Sequence, residues 1–270
     1  MIDRLRTITF ILNLKAAVIA ALAVLSTWAC MRWGIAANFP LTLIATAVVF
    51  PIVFSINSAY KRRESVLDDY GSLKSHGRAI FFATRDWLET PSPERQERCR
   101  RLLGDLLRDT RALFSASRVD MHRREERVYR RFSELSLFIR DDLRQAGLAS
   151  GEVSRCNQYL SKMLLSFEQI KHIYQYRTPR TLRAFSDFFI TVLPPLYGPY
   201  FAYLGRDFSG ALPYLMPVLF ALILVSLDSI QDHLENPFDQ IGQDDVFINA
   251  EKFVDRLTAG EPEVTARGSA

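Results

Sequence analysis

The chain has 270 residues, a formal net charge of +4 at pH 7, a pI of about 9.0 and a mean hydropathy of +0.01. That average would suit a soluble domain, but the apolar residues gather towards the two ends and the charged residues in the middle. This segregation excludes one uniform soluble domain and predicts a membrane protein with a large soluble insert.

Two apolar segments open the chain. The first covers residues 10–31 and carries only one charge, Lys15, and the second covers residues 41–60 and carries none. Each is long enough to cross a hydrocarbon core of about 30 Å as a helix. The start, MIDRLR, is basic as in a signal peptide, but the apolar run is too long and a second span follows closely. We therefore expect a retained N-terminal transmembrane pair over residues 1–60.

The second span carries a regular stripe of side chains. Thr42, Thr46, Phe50 and Phe54 recur every fourth residue and so share one face of a helix, with Pro51 inside it. A simple lipid anchor has no use for this pattern. The residues alone leave two interpretations open, packing on another helix or lining a pore.

Residues 61–183 read as a helical cytoplasmic region. Leucines and a phenylalanine recur at helical spacing between charges at 93–118, and Pro93 with Glu94 after TPS is typical of a helix start. AGLASG at 146–151 predicts a break, followed by another helix. The many arginines alternate with acidic residues, which favours a solvated or interfacial helix face over nucleic-acid binding.

Two further apolar segments, at 185–204 and 211–227, predict a C-terminal transmembrane pair within residues 184–230. Both contain prolines, so we expect kinks whose freed carbonyls are satisfied by neighbouring groups. Cations flank the cytoplasmic ends of the spans, and each short link between paired spans holds one. The positive-inside rule then places both termini and the insert of this multi-pass protein in the cytoplasm. We expect its location to be a cell membrane, namely a bacterial inner membrane.

An enzyme is not expected. The four histidines are far apart, and the sequence contains no Gly-rich phosphate loop or nucleophile motif such as G-x-S-x-G. Three scattered cysteines, two of them in the predicted cytoplasmic region, do not suggest a disulfide framework. The remaining residues, 231–270, form a cytoplasmic segment whose end has a composition typical of disorder.

Three stretches together resemble the bestrophin family. FPLTLIATAVVFPIVFSINSAYKRRESVLDDYGSL (39–73) is similar to the family's second span, in which Asn57, Ser58, Ala59, Tyr60, Arg62 and Tyr70-Gly71 match its motif. YRTPRTLRAFSDFFITVLPP (176–195) looks like the lead-in to the third span, and LDSIQDHLENPFDQ (227–240) looks like the end of the fourth. The resemblance covers roughly residues 10–250.

The resemblance implies an all-α membrane protein with four transmembrane helices per subunit, a helical cytoplasmic region and a bestrophin-like pentamer around one pore. In that family the second span lines a narrow neck with three residues spaced by four. Counting back eight, twelve and sixteen positions from Arg62 gives Phe54, Phe50 and Thr46, the stripe found above. Thr46 departs from the usual apolar residue.

Two weaker assignments follow from the same resemblance. Counting back from Tyr176 suggests Met163 at a cytoplasmic constriction, with packing in the insert core as the alternative. Animal members bind calcium with an acidic segment after Asn-Pro-Phe. The matching segment here is less acidic, so its alternative role is a solvated turn. We therefore expect no cofactor. Its candidate residues are Asn236, Asp239, Gln240, Asp244 and Asp245.

The leading hypothesis is a homopentameric channel for small monovalent ions, with chloride-like anions favoured and cations possible. Its expected partners are membrane lipid and ions, and not nucleic acid. The alternative is a membrane scaffold or sensor that binds a cytoplasmic partner through its insert. A secondary transporter fits less well, because the chain has four predicted spans and no visible inverted repeat.

Overall fold

The computed structural model describes residues 14–90, 92–115, 120–176, 180–206, 211–235, 237–238 and 245–258. These residues form helices, and no strand occurs among them. The helices are α1 (Leu14–Trp33), α2 (Leu41–Asp86), α3 (Pro93–Phe114), α4 (Met121–Leu137), α5 (Ser150–Gln175), α6 (Arg180–Leu196), α7 (Gly198–Leu204), α8 (Leu212–Glu235) and α9 (Ala250–Asp255), and a π-helical segment (Phe138–Leu143) follows α4. The all-α expectation is therefore confirmed.

The chain divides into two compact units. The first takes Met1–Arg63, Arg177–Pro237 and Ile241–Asp244, and the second takes Glu64–Tyr176, Phe238–Gln240 and Asp245–Ala270. Within the described residues, α1, α2 and α8 are long and apolar enough to cross a membrane. The helix of the second predicted span does not end near residue 60 but continues without interruption to Asp86.

The first unit packs around a stripe of small residues on α1. Ala16, Ile19, Ala20 and Ala23 are buried at spacings of three and four. Small residues let helix backbones approach closely, which is how helices associate inside a bilayer. The apolar cluster formed with α2, α6, α7 and α8 includes Val48, Ile52, Ile190, Leu193, Tyr197, Phe201, Ala221, Leu224 and Val225.

The third predicted span, 185–204, is not one continuous helix. It is split into α6, of 17 residues, and α7, of 7 residues, with Tyr197 between them. The physical reason is that Pro199 has no N–H, so the carbonyl of Pro195 has no donor four residues later. The hydroxyl of Ser26 on α1 donates to that carbonyl at 2.6 Å. The expectation that a neighbour satisfies a carbonyl freed by proline is confirmed here.

Gly198 makes the closest helix approach in this unit. A Cβ built on it would lie 2.3 Å from the Ser26 Oγ and 3.0 Å from the Ser26 carbonyl carbon. Only glycine therefore allows α7 to lie against α1 as it does.

The second unit is built around an amphipathic α3. Ser92 accepts a hydrogen bond from the Arg95 N–H at 3.3 Å, and Pro93 occupies the first turn, so the predicted helix start is confirmed. Its apolar face, including Leu103, Leu106 and Leu113, is buried in one core with residues of α2, α4, α5 and α9.

The predicted break at AGLASG is also confirmed. Gly147 has φ of +92°, a conformation that side chains disfavour, and the Leu148 N–H donates to the Leu143 carbonyl to close the turn. The preceding π-helical segment was not predicted by the sequence.

Candidate functional site

The Phe stripe lies on the exposed face of α2. Phe50 and Phe54 are 60% and 57% exposed, and Thr46 is exposed as well. On the opposite face Val48 and Ile52 are buried at 2% and 0%. None of the other described residues covers the stripe, so packing among them does not explain the pattern.

The two rings contact each other. Their centroids are 4.7 Å apart and their planes meet at 83°, an edge-to-face arrangement. Such a pair is favourable because the positive ring edge meets the negative ring face. The two levels of the stripe therefore form one aromatic band.

Polar residues continue the exposed face at both ends of this band. Thr42 lies before it, and Ser58 and Lys61 lie after it, and all three side chains are exposed. A face that changes from hydroxyls to aromatic rings and back to polar and charged groups can border water at both ends and exclude it in the middle. Repeated around an axis, the band would make a nonpolar constriction that dewets and blocks ions.

A charge cluster that sequence reasoning did not predict lies in the same unit. Lys15 Nζ lies 2.6 Å from Asp228 Oδ2 and 3.1 Å from Asp187 Oδ1, which links α1 to α8 and α6. The Asp228 side chain is only 6% exposed. The one lysine in an otherwise uncharged span was the available signal, since such a charge needs a partner inside the bundle. Its contacts join helices and lie away from the Phe stripe on α2.

A second cluster extends the same face of α6 and α8. Arg183 lies 2.7 Å from both Asp232 Oδ1 and Glu235 Oε2 through its two terminal nitrogens. The Glu235 side chain is 6% exposed, so the guanidinium compensates a largely buried carboxylate.

The proposed constriction residue Met163 lies in the core of the second unit. Its side chain is 2% exposed and approaches Gly77, so it has no free surface in this protomer. This is the placement that the packing alternative describes. Two residues further along α5, Leu165 is 58% exposed. Leu165 is the large apolar side chain on this helix that faces away from the core, and counting along the sequence missed it.

The hydrogen-bonding centre of the second unit is Lys171. Its Nζ lies 2.9 Å from Glu125 Oε1 and 2.7 Å from Glu168 Oε2, and it donates to the Tyr129 hydroxyl. Burial alone would lower the pKa of Lys171, but the bonds to Glu168, Tyr129 and Glu125 raise it above its usual value of 10.5. Burial would raise the pKa of Glu168, but the bonds to Lys171 and Tyr129 lower it below 4.5. These four residues join α4 to α5.

The cysteines of the second unit are buried free thiols. Burial raises the pKa of Cys99 to about 12 and that of Cys156 to about 11, so neither forms a thiolate at neutral pH.

The structure describes one residue of the candidate calcium segment, Asp245. Asn236, Asp239, Gln240 and Asp244 lie outside the described residues, and Asp245 is partly buried. Among the residues that the structure does describe, no three His, Cys, Asp or Glu side chains are grouped as metal ligands.

No protein-family model and no curated protein matches the chain. Solved structures do match it. A bacterial bestrophin homologue from Klebsiella pneumoniae is 19% identical with a TM-score of 0.71, covering 94% of this chain and 100% of the other. A variant of that homologue with a tyrosine-to-alanine substitution gives 19% identity and a TM-score of 0.70 over 93% and 97% of the two chains.

A tryptophan-to-alanine variant is 18% identical with a TM-score of 0.72, covering 90% and 95%. Identities this low establish a shared fold and leave function to be argued from the residues. Because the similarity extends over nearly the whole of both chains, and apolar helices long enough to span a bilayer are present, the protein is an all-α membrane protein with a bestrophin-like fold.

Proposed function

We propose that the protein is a homopentameric channel that passes small monovalent ions through a neck formed by Thr46, Phe50 and Phe54 of each subunit. The observation that carries this proposal is the exposed aromatic band on α2, which is bordered by polar residues and is not covered by the described part of its own chain. The bestrophin-like fold supports it, and the number of five subunits comes from the family resemblance.

Lipid exposure alone does not account for this face. The exposed face of α1 consists of apolar side chains such as Leu22, Leu25 and Trp28, as lipid contact requires. The face of α2 instead carries Thr46 on one side of the Phe pair and Ser58 on the other. Hydroxyls in these positions gain most from water, which favours an aqueous path over contact with acyl chains.

Ion selectivity in such a neck depends on the rings, because none of its residues is charged. The rings of Phe50 and Phe54 meet nearly at right angles, and the aspect that each ring turns to the axis would set its contribution to selectivity. Ring edges attract anions and ring faces attract cations. We therefore propose a modest preference for chloride-like anions, set by the level that presents its edge, and measurable as a reversal potential in a salt gradient.

Leu165 takes the role of second constriction in this proposal. It is exposed on α5, in contrast to the buried Met163. Leu165→Ala should change single-channel conductance, whereas Met163→Ala should lower thermal stability through the cavity that it leaves.

Planar-bilayer recording tests the channel itself. Purified protein should give unitary currents, and Phe50→Ala with Phe54→Ala should raise open probability or conductance. The matched control is Leu219→Ala with Ile223→Ala, which removes exposed apolar side chains at the same spacing from α8. A scaffold would give no currents in any form, and a transporter would give saturable flux without unitary steps.

Thiol labelling separates a pore from a lipid face. Thr46→Cys, at the polar end of the neck, should react with a charged, membrane-impermeant thiosulfonate, because a thiolate forms only in water. Ile223→Cys, on α8, should not react. Equal protection of both positions would contradict the pore. Mass measurement in detergent checks the number of subunits.

The proposed setting is a bacterial inner membrane with both termini in the cytoplasm. The cations beside the predicted span ends support this orientation. Reporter fusions at each terminus, active only on the cytoplasmic side, test it.

A further inference from the structure

The second unit contains a cleft of about 650 Å³ between α2 and the segment that includes α9. This volume is in the range of sites that hold small molecules. Lys74 and Arg78 line it from α2, and Lys252 and Arg256 line it from α9 and the residue after it. Among the described residues, no carboxylate lines the cleft.

These four cations are not neutralised by their own protomer. Across the described ranges, none of the four forms an ion pair. The nearby carboxylate of Glu251 is held by Arg111, with both oxygens hydrogen-bonded at 2.8 and 3.0 Å. Cations gathered in one concave site repel one another, so the arrangement is costly unless an anion occupies it.

One of the cations also has an unsatisfied donor. The Nε of Arg78 is buried and has no hydrogen-bond partner. Buried donors are normally paired, and an unpaired one needs an explanation. A guanidinium presents its Nε and terminal N–H groups as a fork that matches two oxygens of a phosphate. The guanidinium lines the cleft, so its terminal N–H groups are the donors that an anion there would meet.

The remaining lining is partly aromatic. Lys74 Nζ lies 4.2 Å from the centre of the Tyr70 ring, which is itself 7% exposed, so the ammonium is held in place. Phe253 is buried, whereas Phe247 is 56% exposed. Four cations around a concave site with an aromatic floor offer an anion several contacts at once.

We propose that this cleft binds a small anion that carries two or more phosphate groups. Chloride has one charge and would not use four cations, whereas a diphosphate offers several acceptor oxygens to both arginines. The site is thus separate from the permeant ion of the proposed channel. The ligand could be a soluble polyphosphate or the headgroup of a phosphorylated lipid, which share this chemistry.

Calorimetric titration of the full chain in detergent with inorganic pyrophosphate tests the proposal. We expect saturable binding at near-physiological ionic strength and a rise in thermal midpoint on addition of pyrophosphate. Arg78→Gln with Arg256→Gln should weaken binding about ten-fold or more, since two charge-assisted contacts are lost. Arg78→Lys keeps the charge but loses the forked donor pair. Its affinity for pyrophosphate should lie between those of the parent and the double glutamine variant.

The control is Arg127→Gln with Arg130→Gln, which removes the same charge from the exposed surface of α4. It should bind pyrophosphate as the parent does. A parallel arm titrates a water-soluble, short-chain phosphatidylinositol bisphosphate into the protein in detergent, with short-chain phosphatidylcholine as the blank. Binding of this lipid but not of pyrophosphate, lost in the Arg78 variants, would assign the site to a lipid headgroup.

Absence of binding in both arms, or equal loss in the α4 control, would overturn the proposal. These binding assays involve no current, so their failure leaves the channel proposal standing. Absence of channel currents would likewise leave the anion-site proposal standing.

Discussion

Replacing Lys171 by methionine should destabilise the second unit strongly. Methionine is of similar length and removes only the charge and the donors. Lys171 is 9% exposed and is the shared partner of Glu125, Glu168 and Tyr129. Without it, two carboxylates on α4 and α5 face the same small space with no cation between them.

The expected cost follows from the burial of each partner. Removing one member of a buried ion pair costs about 3–5 kcal/mol. The Glu125 side chain is 21% exposed and that of Glu168 is 40% exposed, so water screens part of the unpaired charge. We therefore expect a loss of about 2–3 kcal/mol after that discount. For a protein of this size that corresponds to a fall in thermal midpoint of about 4–12 °C.

The same interaction should depend on pH in a defined window. Glu168 has a pKa below its usual 4.5 in the folded state, so its contribution is present above that value and is lost as pH falls through the lower folded pKa. Lys171 has a pKa above 10.5, so its contribution is present below that value and is lost as pH rises through the higher one. The difference in thermal midpoint between the parent and Lys171→Met should therefore be largest between these two pH limits and should become smaller in acid.

Thermal midpoints in detergent, measured by size-exclusion chromatography after heating, provide the assay. Lys162→Met is the control, because it removes an exposed lysine from the same helix. A thermal midpoint of Lys171→Met equal to that of the parent at neutral pH would contradict this role of Lys171. An equal loss of stability in the two lysine variants would contradict it as well.

Gly198→Ala should lower the thermal midpoint by the equivalent of about 1–3 kcal/mol, because its Cβ would overlap Ser26, and an unchanged midpoint would contradict the close approach. Gly151→Ala, where nothing lies within 4 Å, should melt with or slightly above the parent in the same assay. Lys15→Met should reduce the yield of folded protein in detergent, since it leaves Asp228 buried and unpaired. Asp228→Asn should be milder than Lys15→Met in that measurement, because Lys15 keeps its contact with Asp187.

Much of the helical framework was predictable from short-range patterns. The two N-terminal spans follow from hydropathy, the α3 start follows from Ser92 and Pro93, and the exposed stripe on α2 follows from spacing by four. Each depends on residues close together in the chain, where helix geometry is fixed. The use of the stripe as a neck remains a prediction.

The features that the sequence did not predict depend on distant residues or on helix phase. The split at Tyr197 depends on Ser26, which lies 169 residues from the carbonyl that it satisfies. Met163 and Leu165 are two positions apart, or about 200° around a helix, so a small counting error exchanges a buried residue for an exposed one. Only the packing of α5 distinguishes them.

The Lys15 cluster has a consequence for how the protein is made. The two carboxylates that compensate this lysine lie 172 and 213 residues later in the chain. At about 5–20 residues per second, a ribosome needs on the order of 10–40 s to synthesise the more distant one. During that interval the first helix lies in the bilayer while the Lys15 ammonium near its start has no carboxylate partner. The flexible lysine side chain can extend towards the lipid headgroups and keep its charge near water. Final docking of this helix therefore waits for the last span to be translated.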